Sequence, residues 1–161
     1  MEVEQLVNYE NVSFKYPFEN STDPIWTSLK QLDLKYIKLK LMDAEEGYGW
    51  TESHADDVLT EYLRFLYLCM KYPDVAVVPS TIVDKAWHMH ILDTHAYSAD
   101  CDKLFGKFFH HFPYWGMRGE DDLSDLQSSF CKTLELYNIE FGNVPHVFWK
   151  AAGRCPNCGR K

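Results

Sequence analysis

The chain lacks an apolar run long enough to cross a membrane, and it has few basic residues. Spanning a bilayer takes roughly 20 consecutive apolar residues, and no stretch approaches that length. The 161 residues include 16 Lys and Arg against 24 Asp and Glu, which gives a net charge of −8. Because neutralising phosphates needs clustered basic side chains, this balance argues against nucleic acid as a partner.

Several catalytic and targeting motifs are also missing. No Gly-x-Ser-x-Gly nucleophile elbow occurs, and no glycine-rich phosphate loop precedes a helix. The first residues, Met-Glu-Val-Glu-Gln, have neither the basic start nor the apolar stretch of a signal peptide. The five cysteines are odd in number and scattered, which favours thiols or metal ligands over a disulfide framework. We therefore expect a cytoplasmic protein with no membrane partner.

The chain does have enough apolar material for one folded domain, with 46% hydrophobic and 16% aromatic residues. Ser53 and Ser80 are typical helix caps, and Gly106 is a typical helix end. Apolar residues at 3–4 spacing predict four helices: one that starts at Asp23-Pro24, and three near 54–72, 81–104 and 123–141.

The predicted fold class is mainly α. We expect an irregular bundle of about four helices, with an extended N-terminal arm over residues 1–20 that includes at most one short strand. Residues 1–145 are predicted to form a single helical domain. Residues 146–161 are predicted to form a short C-terminal tail with a Cys-Pro-x-Cys-Gly knuckle.

The histidines are concentrated, since five of the seven lie between residues 88 and 111. Successive residues on a helix advance by about 100°. On this basis one apolar and aromatic face of the helix over 81–104 should point into the core: Val83, Trp87, His90, Thr94, Tyr97 and Cys101. A neighbouring face carries Asp84, His88 and His95.

Asp84 and His88 are four residues apart, so their side chains meet on a helix. They could bind one cation, or they could form a surface ion pair of little energetic value. His110 and His111 are adjacent on a non-helical segment and point opposite ways, so one of them can turn toward His88 or His95. An Asp with two such histidines would make an open site for Zn²⁺ or Fe²⁺.

His90 is predicted to lie deeper, on the apolar face. It is either a metal ligand or a core histidine that donates to a neighbouring side chain or carbonyl. His88 and His90 lie about 200° apart around the helix, so they cannot share one ion without a local distortion. The predicted pocket walls are aromatic: Trp87, Tyr97, Tyr114 and Trp115.

The tail sequence Cys155-Pro-Asn-Cys158-Gly is typical of half a zinc ribbon. A complete structural site needs four ligands, and no second Cys-x-x-Cys occurs. His146 is the nearest further candidate, and Cys131 could come from the preceding helix. A free dithiol, or a site completed by a second chain, remains an alternative.

The string Asp84-x-x-Trp87-His88-x-His90-x-Leu92, followed by Tyr97-x-x-Asp100-Cys101 and Phe105-Gly106, resembles the glycine-rich domain-containing protein-like family. Plant members carry further domains and a glycine-rich region that this chain lacks, so it looks like a minimal bacterial-type member. The resemblance implies a helical domain with a Trp-His-x-His signature, and it implies no reaction. His95, His110 and His111 lie outside that signature.

Two functions from different classes fit these features. The first is a metal-binding domain, and with it a Zn- or non-haem-Fe-dependent enzyme acting on a peptide or small molecule. The second is a non-catalytic interaction or adaptor domain, in which the histidines are structural and the aromatic loop 109–118 docks a partner. The sequence favours metal binding and assigns no catalytic residue.

Overall fold

A computed structural model describes residues 11–150 of the protein. Within that range the chain forms six helices and no strand: α1 (Pro24–Leu29), α2 (Lys35–Met42), α3 (Glu52–Lys71), α4 (Thr81–Leu92), α5 (Thr94–Phe105) and α6 (Glu120–Phe141). Helices make up 58% of these residues, which confirms the mainly α prediction. The prediction of about four helices is wrong, because two of the predicted helices are each divided in two.

The helix predicted over 81–104 is divided at Asp93, whose backbone angles are φ −82° and ψ 75°. The Asp93 carboxylate accepts a hydrogen bond from Ala96 N at 3.4 Å, so it caps α5 where α4 ends. As a consequence Thr94, predicted for the core face, is exposed. Tyr97 stays buried on the new helix.

The helix predicted to start at Asp23-Pro24 does start there, with the Asp23 carboxylate accepting from Ile25 N at 2.9 Å. It ends after six residues. The chain then passes through a short loop before α2, in which Leu32 and Leu34 are both buried. A continuous helix would turn these two leucines about 200° apart, so the loop is what lets both reach the core.

Helix α3 is the central element, because α1, α2, α4 and α6 all pack against it. It is capped by Thr51, whose hydroxyl accepts from His54 N at 3.2 Å, rather than by the predicted Ser53. Ser80 caps α4, and Gly106 ends α5 in the left-handed conformation, as predicted. The two aromatic side chains predicted for the core face, Trp87 and Tyr97, are buried, and so is Phe130 of α6.

A buried carboxylate, Glu61, ties the C-terminal part of the described chain to α3. It accepts hydrogen bonds from Tyr137 Oη at 2.7 Å and from Trp149 Nε1 at 2.8 Å, and it pairs with Arg64 at 2.7 Å. A buried carboxylate is stable only when it is satisfied in this way. Trp149, beyond the predicted boundary at residue 145, is fully buried and belongs to the core.

The part of the N-terminal arm that the structure describes, residues 11–20, contains no strand. It packs on the bundle through buried Val12 and through a hydrogen bond from the Tyr16 hydroxyl to Leu32 O. Residues 1–10 and 151–161, with the Cys155–Cys158 knuckle, lie outside the described residues. Between residues 11 and 150, every helix is too short or too polar to cross a membrane.

Candidate metal centre

Asp84, His88 and His111 form a cluster at the border of a cleft. His111 Nε2 lies 2.7 Å from Asp84 Oδ1, and His88 Nε2 lies 3.2 Å from Asp84 Oδ2. The two histidine Nε2 atoms are 3.0 Å apart. All three potential ligand atoms lie within 4.8 Å of one another, so they can converge on one ion. Asp84 and His88 come from successive turns of α4, and His111 comes from the loop after α5.

The loop that carries His111 is held by Trp87 and Tyr97. Trp87 Nε1 donates to the Tyr97 hydroxyl at 3.0 Å, and that hydroxyl donates to the carbonyl of Phe109. The Phe109 ring stacks on Trp87 with 5.2 Å between centroids, and the His111 ring packs on Trp87 at 4.4 Å. Trp87, which belongs to the Trp-His-x-His string, therefore positions His111, which lies outside that string.

His90 is engaged by the protein through both ring nitrogens. Its Nε2 lies 2.8 Å from Asp100 Oδ2, and its Nδ1 lies 2.7 Å from Tyr62 Oη. A carboxylate only accepts, so His90 Nε2 donates to Asp100, and in the neutral ring Nδ1 then accepts from the Tyr62 hydroxyl. Burial raises the pKa of Tyr62 and keeps that proton in place. His90 is 2% exposed and sits apart from the Asp84 cluster, as a core histidine does.

The other histidines proposed as ligands also lie away from the cluster. His95 is exposed on α5, because the break at Asp93 separates it from the face that carries Asp84. His110 is exposed, and its ring packs on Phe108 with 4.8 Å between centroids. Of the two adjacent histidines in this loop, His111 is the one that points toward α4. His146, proposed for the tail site, is exposed.

The cleft beside Asp84 and His111 has a volume of about 680 Å³, within the range of small-molecule sites. Two of the predicted pocket residues, Trp87 and Trp115, line it. Tyr97 is instead buried beneath the loop, and Tyr114 is 59% exposed outside the cleft lining.

One side of this cleft was not predicted from the sequence: the connection between α3 and α4 over residues 73–79. Val75 and Val77 are half-buried there, between Pro73 and Pro79. Val78 N donates to a hydroxyl of α6 at 2.9 Å, which fixes the segment. Two prolines around alternating valines are typical of an extended segment, and this pattern could have predicted the segment from the sequence.

The cleft is poor in reactive groups outside the cluster. Cys69 lines it, but burial raises the pKa of this thiol, so it is protonated and a poor nucleophile.

The negative charge of Asp84 acts beyond the cleft as well. Burial first, and then the Asp84 charge, raise the pKa of Tyr48, over whose ring Lys85 Nζ lies at 5.0 Å.

No curated protein and no solved structure matches the chain. The family model that does match is described as UCP032817-like and aligns with residues 33–137. The resemblance to the glycine-rich domain-containing protein-like family is therefore wrong, because a short histidine string on one helix pair does not separate helical families. The match runs from the loop before α2 into α6, so it contains the whole cluster, and the family's description names no reaction. The match covers more than half of the length of the chain, and the chain therefore belongs to the UCP032817-like family.

Proposed function

We propose that the protein binds a divalent transition-metal ion, Zn²⁺ or Fe²⁺, through Asp84, His88 and His111. We propose further that it uses this ion in metal-dependent chemistry on a peptide or small molecule held in the cleft. The observation that carries the proposal is the convergence of two imidazole nitrogens and one carboxylate from two separate elements of the fold.

The chemistry of the donors supports this assignment. Two histidines and one carboxylate are a ligand set of catalytic zinc sites and of non-haem iron(II) sites, and three protein ligands leave coordination positions open. When bound, such an ion would polarise a carbonyl group or lower the pKa of a water molecule. Asp84 and His111 line the cleft, whereas His88 is 47% exposed at its border. A ligand in the cleft would therefore reach the ion from the apolar side.

The test is the metal content of protein purified without an affinity tag. To remove any metal held by the tail, it is measured in a background that carries Cys155→Ser and Cys158→Ser. We expect one equivalent of metal in this background. Asp84→Asn and His111→Ala should lose it, because each removes one of only three ligands.

Matched controls are His95→Ala and His110→Ala, which remove exposed histidines outside the cluster. Both should keep the full equivalent of metal. If Asp84→Asn and His111→Ala keep as much metal as these controls do, the cluster is not a metal site and is only a hydrogen-bonded ion pair.

The second candidate function is an adaptor domain, and one observation favours it. The loop between α5 and α6 exposes four large apolar side chains: Phe108, Phe112, Tyr114 and Met117. Exposed apolar patches of this kind mark interaction surfaces. This function gains support if metal-free protein shows an unchanged melting temperature when Zn²⁺ or Fe²⁺ is added, since a ligand that binds the native state raises it. A cytoplasmic location is part of both proposals, supported by the free thiols of the buried Cys69 and Cys101.

A further inference from the structure

We infer that the cleft takes an acyl compound: a carbon chain or ring that ends in one oxygen-bearing head group, such as a carboxylate, ester or hydroxamate. The head group would lie at Asp84 and His111, and the carbon chain would lie along the apolar lining. This inference rests on the proposed metal site and names the class of ligand for it.

The apolar part of the ligand follows from the lining of the cleft. Two segments provide it, the connection over residues 73–79 and the loop over residues 109–115, together with residues of α3, α4 and α6. The aliphatic contribution is mainly valine and proline, and the aromatic contribution comes from phenylalanine and tryptophan. Phe112 lines the cleft while 52% exposed, so apolar surface stays in water until a ligand covers it.

The single polar end follows from the distribution of polar groups. Among the cleft-lining residues, all of which fall within the described chain, no Lys, Arg, Asn or Gln occurs. Sugars, polyols and phosphates need several such donors, so they are a poor match for this lining. The polar side chains of the lining are few: Asp84 and His111 of the cluster, Thr81 one turn before Asp84 on α4, and His110, which lies outside the cluster.

The charge of the cluster decides how an anionic head group binds. The cleft lining holds the Asp84 carboxylate and no Lys or Arg, so it offers an anionic head group no side chain of fixed positive charge. A divalent ion on Asp84 would supply that positive charge. Binding of the head group must therefore depend on the metal. The affinity that the carbon chain contributes by its burial must instead increase with the length of that chain.

The experiment is a calorimetric titration of the zinc-loaded protein with straight-chain hydroxamic acids of two, four, six and eight carbons. The primary amides of the same chains serve as controls, because they carry the same tail without a chelating head. We expect affinity to rise roughly fourfold for each added methylene, the value for transfer of a methylene out of water. The amides should bind at least tenfold more weakly, and metal-free protein should bind no hydroxamate.

A matched pair of variants locates the binding. Ala76 is exposed and lines the cleft, so Ala76→Asp places a charge on its wall at little cost to the fold. Ala44 is also exposed, in the turn after α2, and it does not line the cleft. Ala76→Asp should weaken the eight-carbon hydroxamate at least tenfold and the two-carbon one less than twofold. Ala44→Asp should change neither.

The outcomes separate this inference from the metal proposal, because bound zinc is measured after dialysis and again after each titration. If zinc stays bound and affinity does not change with chain length, the acyl assignment is overturned while the metal site stands. Equal binding of hydroxamates by metal-free protein also overturns it. If the wild type holds no zinc at the cluster, the metal proposal fails, and this inference fails with it.

Discussion

The Tyr97 hydroxyl links the core to the loop that carries His111, so its removal is the sharpest test of how the site is built. Tyr97→Phe deletes the acceptor of Trp87 Nε1 and the donor to the Phe109 carbonyl. Trp87 is 6% exposed, so its stranded N–H costs about 1–3 kcal/mol. Phe109 is half-buried, so water can replace the hydrogen bond from the Tyr97 hydroxyl to the Phe109 carbonyl at a smaller cost. Together the two losses lower the free energy of unfolding by about 2 kcal/mol.

Urea denaturation followed by tryptophan fluorescence measures this loss. With a slope of about 2 kcal/mol/M for a chain of this size, the midpoint should fall by about 1 M and the slope should not change. Tyr114→Phe is the matched control, because it removes the hydroxyl of a tyrosine that is 59% exposed. It should stay within about 0.5 kcal/mol of the wild type.

The same variant should weaken metal binding, although Tyr97 is not a ligand. Freeing the Phe109 carbonyl loosens the loop, and His111 then loses part of its fixed position against Trp87. Metal affinity, measured by competition with a chelator, should fall about tenfold, in the range found for residues that position metal ligands. A variant that keeps the wild-type midpoint would refute the account of the hydroxyl as a buried link.

Three further outcomes are expected. His90→Ala should lower the free energy of unfolding by about 1–3 kcal/mol by stranding two hydrogen-bond partners, and metal content should not change; a metal loss without destabilisation would contradict the structural role. The hydrogen bond from Tyr67 holds the pKa of Asp23 below its usual value of 3.8, so the stability it provides is complete above that value and is lost as pH falls through the depressed pKa. Acid titration should therefore show the difference between wild type and Asp23→Ala shrinking below about pH 4. Cys155→Ser with Cys158→Ser should remove about one equivalent of zinc while the helical far-UV signal persists, and unchanged zinc would exclude a tail site.

The sequence predicted those elements whose signals are local. The apolar spacing of α3 and α6, the Ser80 cap and the Gly106 end each depend on a few neighbouring residues, and all are confirmed. The break at Asp93 was missed because the apolar spacing continues across it. An Asp followed by Thr is a good cap, but it also occurs inside helices, and only the packing of α5 decides between the two.

The candidate site could be predicted in part. Asp84 and His88 follow from helical spacing alone, since residues four apart share a face. The choice of His111 over His110 depends on the path of the loop, which Trp87 and Tyr97 determine from another part of the chain. The cleft depends on contacts between segments far apart in sequence, and no periodicity reports such contacts.

The place of Trp149 in the core has a consequence for synthesis of the chain. Glu61 emerges from the ribosome 88 residues before the indole that donates to it. Before Trp149 is available, the carboxylate has Arg64 and Tyr137 as partners but lacks the indole donor, so burying it in a nascent or truncated chain costs more than in the complete core. Closure of the bundle therefore has to wait for Trp149, which lies beyond the last helix of the described chain. A chain that ends at Val147 should be cleaved rapidly by protease under conditions in which a chain that ends at Lys150 resists, and equal resistance of the two would show that the core closes without its final aromatic residue.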